Sequence, residues 1–345
     1  MGPGFCLVIT SIAGPTPALV ALAGAAADAE VDFILVGDAA SPGLDLDGCE
    51  FYSLPRQLEL DFELASICPV RSYARKNIGY LLAMQRGASV IVETDDDTAA
   101  SKRFWAPRSR FQHVRSVEAG GWVNVYRYFS DSNTLIWPRG FPLDHARMEV
   151  PPYERLPVAE VDCPIQQGLV DDDPDVDAVY RMLFQLPFTF ERRAPVALGP
   201  RSWCPFNSQN TTWWRDAFPL LYLPASCSFR MTDIWRSFIA QRIGWENGWC
   251  VSFNEATVRQ DRNEHDLSKD FADEVDGYLA NRAICAALER LELVPGVDHL
   301  AGNMRRAYGL LVEHEWLDEG ELVLLEAWLA DVEAVLGTAA TAVRS

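Results

Sequence analysis

The 345-residue sequence predicts an α/β fold that opens on a parallel sheet and closes on helices. Three observations carry this. Short, near-continuous apolar runs alternate with helix-like stretches over the first hundred residues, as strands covered on both faces do. The middle is rich in proline and aromatic residues, with eight of the eleven tryptophans between Trp122 and Trp249, and reads as an irregular, cleft-forming half. From Asp266 onward acidic amphipathic patterns take over.

The elements follow in order. "FCLVITSI" (5–12) is a β-branched strand run. "PTPALVALAGAAADA" is a helix with proline near its start, where a missing N–H costs nothing. "VDFILVGD" (31–38) is the second strand, which completes a βαβ unit. Neither GxGxxG nor GxxxxGK[ST] occurs, so the usual nucleotide fingerprints are absent. In the third unit Ala74, Ile78, Leu81, Leu82 and Gln85 make a mostly apolar helical stripe with Ser72 as its cap. Gly87 ends this helix, and Ala88 to Val92 is the next strand. Arg75 and Lys76 fall in the first helical turn, where the macrodipole disfavours each by roughly 0.3–1 kcal/mol. An anion docked there would reverse that sign. The last part, "FADEVDGYLANRAICAALERLEL", "MRRAYGLLVEHEWL" and "GELVLLEAWLADVEAVLG", is helical, so residues 1–265 are expected to form one domain and 266–345 a helical appendage.

Charge and cysteine use narrow the function. With 49 acidic against 30 basic residues the chain repels phosphate backbones and anionic lipid, which argues against nucleic acid. The eight cysteines include no CxxC pair and fit reduced thiols in the cytoplasm. Neither Lys nor Arg precedes Arg56, and Pro15 and Pro17 divide the early apolar run, so the expectation is neither a leader nor a membrane span.

The strongest chemical signal is "GASVIVETDDDTAA" (87–100), where a buried run meets Glu93, Thr94 and three aspartates. At a strand end the period of two puts Asp95 and Asp97 on one face and Asp96 on the other. Two converging carboxylates need a cation. Oxygen ligands select a hard one, Mg²⁺ or Mn²⁺, of the kind that holds substrate phosphates. A second acidic triplet, in "GLVDDDPDVDAVYRML", reads instead as a helix start, with Asp173 as cap, Pro174 first in the helix and Asp175 in its first turn.

"VRSYARKNIGYLLAMQRGASVIVETDDD", "WPRGFPL", "IQQGLVDDDPDVDAVYRM", "NSQNTTWW", "FRMTDIWRSFIAQRIGW" and "RNEHD" together resemble the STELLO family of glycosyltransferase-like proteins. More distantly they resemble the reversibly glycosylated polypeptides, which are UDP-arabinopyranose mutases. The resemblance runs in order from Phe5 to Asp266 and implies a GT-A nucleotide-diphospho-sugar fold with a mixed, mostly parallel sheet. It makes Asp95 and Asp97 ligands of Mn²⁺ or Mg²⁺ on the donor diphosphate, with Asp96 on the ribose or the metal's waters. Thr10 and Asp38 become nucleotide-site residues, and Arg75 faces the diphosphate. Arg139 matches the arginine of the mutases that becomes glycosylated, and is read here as a diphosphate or sugar clamp, since a guanidinium is a poor nucleophile. Asp233 matches an acceptor-side aspartate, either a base or a sugar ligand, with an ion pair to Arg230 or Arg236 as its structural alternative. The mutases' preceding aspartate is Thr232 here, which weakens the inference to mutase chemistry. His265 stands where such enzymes place a late metal-binding histidine. Trp203, Trp213 and Trp214 are candidates for stacking on a sugar, with core packing as the alternative.

The implied function is metal-dependent transfer from a nucleotide-diphosphate sugar, a UDP-sugar being favoured, to an unknown acceptor. A nucleotide-sugar mutase and a non-catalytic scaffold are the alternatives.

Overall fold

The structure is a computed structural model that describes residues 1–2, 4–261 and 266–342, with side chains through residue 337. Its first half is β1 (Phe5–Thr10), α1 (Pro17–Asp28), β2 (Asp32–Val36), β3 (Glu50–Tyr52), the short helices α2 (Leu54–Leu58) and α3 (Glu63–Ile67), α4 (Lys76–Gln85) and β4 (Val90–Thr94). Then come β5 (Thr98–Ala100), β6 (Phe111–Val117), β7 (Gly121–Trp122), β8 (Val158–Asp171), α5 (Ala178–Leu183), β9 (Val196–Leu198), β10 (Ser202–Trp203) and β11 (Asn210–Trp214). The chain closes with α6 (Thr232–Glu246), β12 (Trp249–Gln260), α7 (Leu267–Arg290), α8 (Leu300–Glu313) and α9 (Gly320–Ala342).

Ten strands form one mixed sheet in the order β3-β2-β1-β4-β11-β8-β6-β9-β12-β5. The first four are parallel, as the continuous apolar runs require. Beyond β4 the pairing turns mainly antiparallel, and the long β8 touches β11, β6 and β12. The helix α4 lies tight on the parallel half: a Cβ on Gly79 would stand 2.6 Å from Val8 Cγ1 and 2.8 Å from Val36 Cγ2. That closeness fixes where α4 begins, beside the carboxyl ends of the strands.

Two local expectations shift. The fourth strand runs over 90–94 rather than 88–92, because Ala88 and Ser89 are used in closing the turn, donating to Ala83 O and Gly4 O. Glu93 and Thr94 therefore lie within the strand, fully buried. The helix after the second acidic triplet starts later than expected. Asp177 caps it, accepting from Tyr180 N at 2.7 Å, whereas Asp173 pairs with Arg181 and Asp175 turns inward.

The C-terminal helices do not hang free of the sheet domain. Leu325 and Trp328 of α9 are fully buried in the same apolar cluster as Ile78 and Leu82 of α4. Asp331 of α9 accepts from the first N–H groups of α3, Glu63 at 3.0 Å and Leu64 at 2.9 Å, which the short helix leaves unpaired. All eight cysteines are free thiols, and among the described residues no helix is long and apolar enough to cross a membrane.

Candidate functional site

The three aspartates sit in a turn between β4 and β5, closed by Thr98 N donating to Asp95 O at 3.3 Å. Asp96 and Asp97 form the turn itself, so the period of two does not carry through and each carboxylate has its own surroundings. Asp95 accepts from Tyr73 Oη at 3.1 Å and lies 3.7 Å from Lys76 Nζ. Asp96 accepts from Ser11 Oγ, and its carbonyl accepts from Thr16, the cap of α1. Asp97 accepts from Gln260 Nε2 through both oxygens, at 2.9 and 3.0 Å.

Burial pushes the Asp95 carboxyl up to about 7. Lys76 opposes the shift, while Asp97, Asp96 and Asp233 add to it by repulsion. Its side chain is nonetheless 30% exposed, so an incoming cation can reach it.

From Asp95 a chain of polar contacts runs into the protein. Tyr73 Oη lies 2.6 Å from Ser208 Oγ, and the Ser208 hydroxyl and backbone N–H both donate to Asp233 Oδ2 at 3.1 Å. Arg139 Nη2 donates to both oxygens of Asp233 at 3.1 Å, and its Nε to Asp175 at 2.7 Å. Asn207 also donates to Asp175, at 2.9 Å. The fold thus links Asp95, Asp233 and Arg139 in one network, built from the end of β4, the start of α6 and the loop before residue 142.

Asp233 pairs with Arg139, not with Arg230 or Arg236, which are held by Glu274 and Glu93. Three donors hold it: Arg139 Nη2 reaches both oxygens, and Ser208 N and Oγ both reach Oδ2. The Arg139 guanidinium is equally committed, since Nη1 donates to Arg230 O. Buried among Asp175 and Asp233, it is a holder of the network rather than a clamp open to a ligand.

Arg75 departs from its expected place. Its guanidinium is buried and donates to Gln57 Oε1 and Cys68 O, both at 2.8 Å, and to Ala65 O at 3.4 Å. It ties down α2 and α3 instead of facing a diphosphate. The reason is helical phase: Tyr73–Arg75 is a 3₁₀ turn, and one further residue rotates a side chain by about 100–120°. Lys76 therefore points at the strand ends. Its Nζ donates to Tyr73 Oη at 2.9 Å, Thr94 O at 3.0 Å and Ser208 O at 3.3 Å, all three protons spent on positioning the acidic turn. Replacing Arg75 by Met is expected to cost about 3 kcal/mol by leaving Gln57 and two carbonyls unpaired. Urea denaturation measures that loss, and any ligand affinity of the acidic turn should change less than about threefold.

A second corner adjoins the turn. Asp38 accepts from Ala39 N and from Ser72 N, the latter at 2.9 Å, and Ser41 Oγ bridges Asp38 N and Ser11 O at 2.7 Å each. Through Ser11 this corner is continuous with Asp96. Thr10 ends β1 opposite Val36, half-buried just before Ser11. Arg71, exposed and with φ of 56°, stands next to Ser72. His265 lies outside the described residues. Trp203 and Trp213 are buried, their indole N–H groups on Glu289 and Glu93, so both belong to the core; Trp214 is half-buried and packs against the apolar cluster behind β1.

Sequence reasoning missed Tyr73, Lys76, Ser208, Asn207 and Asp175. Tyr73, Ser208 and Asn207 lie in stretches quoted for their resemblance without a role, while Lys76 and Asp175 were read only as residues of a first helical turn. Among the described residues no three His, Cys, Asp or Glu side chains come together as a protein-only metal cage. A site completed by substrate phosphates and water needs only one or two carboxylates.

The chain is similar to known proteins. The sequence profile of the STELLO glycosyltransferases matches residues 230–341, from α6 into α9. The protein named "Probable glycosyltransferase STELLO2" from Arabidopsis thaliana is 32% identical over 269 residues, covering 71% of this chain and 34% of that protein. "Probable glycosyltransferase STELLO1" from the same plant is 30% identical over 330 residues, covering 88% of this chain and 41% of that protein. The chain thus spans about two-fifths or less of the curated relatives it matches. A solved structure, "Crystal Structure of a Mycobacterial Protein", aligns with a TM-score of 0.39 at 9% identity over 80% of this chain and 74% of that one, too distant to bear on the fold. By its matches to the family profile and to both curated relatives, the chain belongs to the STELLO family.

Proposed function

We propose that the chain is a GT-A-type glycosyltransferase that binds a nucleotide-diphosphate sugar, a UDP-sugar being favoured, at the acidic turn and passes the glycosyl group to an acceptor. The observation that carries this is the partly exposed Asp95, crowded by like charges and held by Tyr73 and Lys76. Such a carboxylate, partly open beside Lys76, is suited to a divalent cation. Asp95 and Asp97 would hold Mn²⁺ or Mg²⁺ together with the donor phosphates. When bound, the metal would supply the positive charge that stabilises the leaving diphosphate.

The remaining work falls to the chain's own groups. Asp38, Asp96, Thr10, Ser11 and Ser41 form a corner of oxygens suited to hydroxyls of a ribose. With Arg75 and Lys76 committed elsewhere, Arg71 is the exposed cation beside that corner for a diphosphate. Asp233 and Arg139 are positioning residues: they hold Ser208, which holds Tyr73, which orients Asp95. The test is calorimetric titration of a nucleotide-sugar panel with Mn²⁺ and again in EDTA. At least one donor should bind in Mn²⁺ and about tenfold or more weakly without it. Failure of every donor to bind in Mn²⁺ would overturn the proposal.

The buried ion pair that Asp233 makes with Arg139 favours a second reading, a nucleotide-sugar-binding protein that does not transfer. Incubation with the bound donor and no acceptor sorts the outcomes. Slow release of free nucleotide diphosphate supports a transferase, a ring-isomerised sugar nucleotide a mutase, and intact donor a binding protein or scaffold.

A further inference from the structure

A second groove lies on the opposite face of the sheet, and it is basic. Along β8 the side chains alternate, so Gln167 joins the Asn207 and Thr211 side while Gln166 and Gly168 face away from it. On that reverse face Gln166, Asn210 and Asn254 floor a groove of about 580 Å³, the size of a small-ligand site. Gly168 is required there, since a Cβ would stand 2.2 Å from Asn210 Nδ2. Arg103, Arg108, Arg192 and Arg193 stand around its rim.

Four arginines on one groove are conspicuous in a chain of formal charge -19. Three have a carboxylate partner: Arg103 on Glu255, Arg192 on Asp171 and Arg193 on Glu191. Arg108 has no carboxylate within salt-bridge distance among the described residues. One of its terminal nitrogens donates to Phe104 O at 2.9 Å, and the other, Nη1, is shut off from solvent without a hydrogen-bond partner. Burial pushes its guanidinium down to about 10, with no anion opposing the shift. A half-buried cation that has the Phe104 ring but no carboxylate beside it gains from a bound oxyanion.

We propose that this groove binds a polyhydroxylated anion, a sugar phosphate or a sugar acid, with Arg108 as the charge that selects it and the three amides as readers of its hydroxyls. The groove shares no lining residue with the acidic turn, and the proposal stands whether or not a donor binds there.

Titration in EDTA with glucose 6-phosphate, glucuronate and glucose tests it. At least one of the two anions should bind about tenfold or more tightly than glucose, and which one does identifies the oxyanion. Arg108→Met should remove that preference with little change in the unfolding midpoint, since the loss of its bond to Phe104 O is offset by deleting a charge with no carboxylate partner. Arg103→Ala, at a side chain 62% exposed, should weaken anion binding several-fold because it leaves Glu255 uncompensated at the rim. Asp95→Asn should leave anion binding as it was. The proposal is overturned if neither anion is preferred over glucose, if the preference survives Arg108→Met, or if Asp95→Asn removes it.

Discussion

Asp95→Asn is expected to abolish metal-dependent donor binding, by about 100-fold or more, while leaving the unfolding midpoint unchanged or slightly raised. The two halves of that result have separate causes. Under the proposed function Asp95 would be a direct, charged metal ligand, and even outer-shell changes at metal sites cost about 10–100-fold in affinity. Removing the charge gives up the attraction of Lys76 but relieves the burial of a charge and the repulsion from Asp97, Asp96 and Asp233. The raised carboxyl shows that the unfavourable side is the larger. Asn retains an acceptor for Tyr73 Oη. Titration with Mn²⁺ and the donor, alongside thermal unfolding, reads both. A drop in stability as large as the drop in affinity would make Asp95 a structural residue and remove the main support for the proposed function.

Glu93→Ala is expected to cost about 3–5 kcal/mol of stability, the penalty of leaving a buried charge uncompensated. Glu93 and Arg236 are both fully buried, joined at 2.8 and 3.1 Å, with Trp213 Nε1 at 2.8 Å and Tyr80 Oη as further donors to the carboxylate. Removing the acid strands the Arg236 guanidinium, which lies over the Trp213 ring. Arg236→Met alone should be similarly damaging, and the double change Glu93→Leu with Arg236→Met much less so, since paired apolar side chains avoid the desolvation cost. Urea denaturation of the three variants decides the matter. Equal loss in single and double variants would mean that shape, not charge pairing, governs this core.

These two neighbouring acids show how far the sequence could be read. The apolar runs and the glycine after α4 gave the parallel half, because continuous burial leaves a one-dimensional trace. The mixed half was less legible: the partners of β8 come from β6, β11 and β12, scattered over a hundred and fifty residues, and periodicity does not encode such pairings. Within the site the aspartates were found because like charges at a strand end are conspicuous. Arg75 was misplaced since a 3₁₀ turn replaced the first helical turn and handed its direction to Lys76. Ser208 and Asn207 carry no charge, and only the folded chain brings them to Asp233 and Asp175.

The three-residue acidic turn also has a mechanical position. It leaves β4 in the parallel half and delivers the chain to β5, which pairs with the far end of β12 at residues 258–260. Gln260, in that same segment, is the residue that holds Asp97. The turn is therefore a rivet between parts of the chain more than 160 residues apart, and it closes only when both are in place. Its shape should appear late in folding, after the slow non-local pairing of β12. A fragment that stops short of residue 258 would carry every aspartate of the turn and still lack the strand that shapes it.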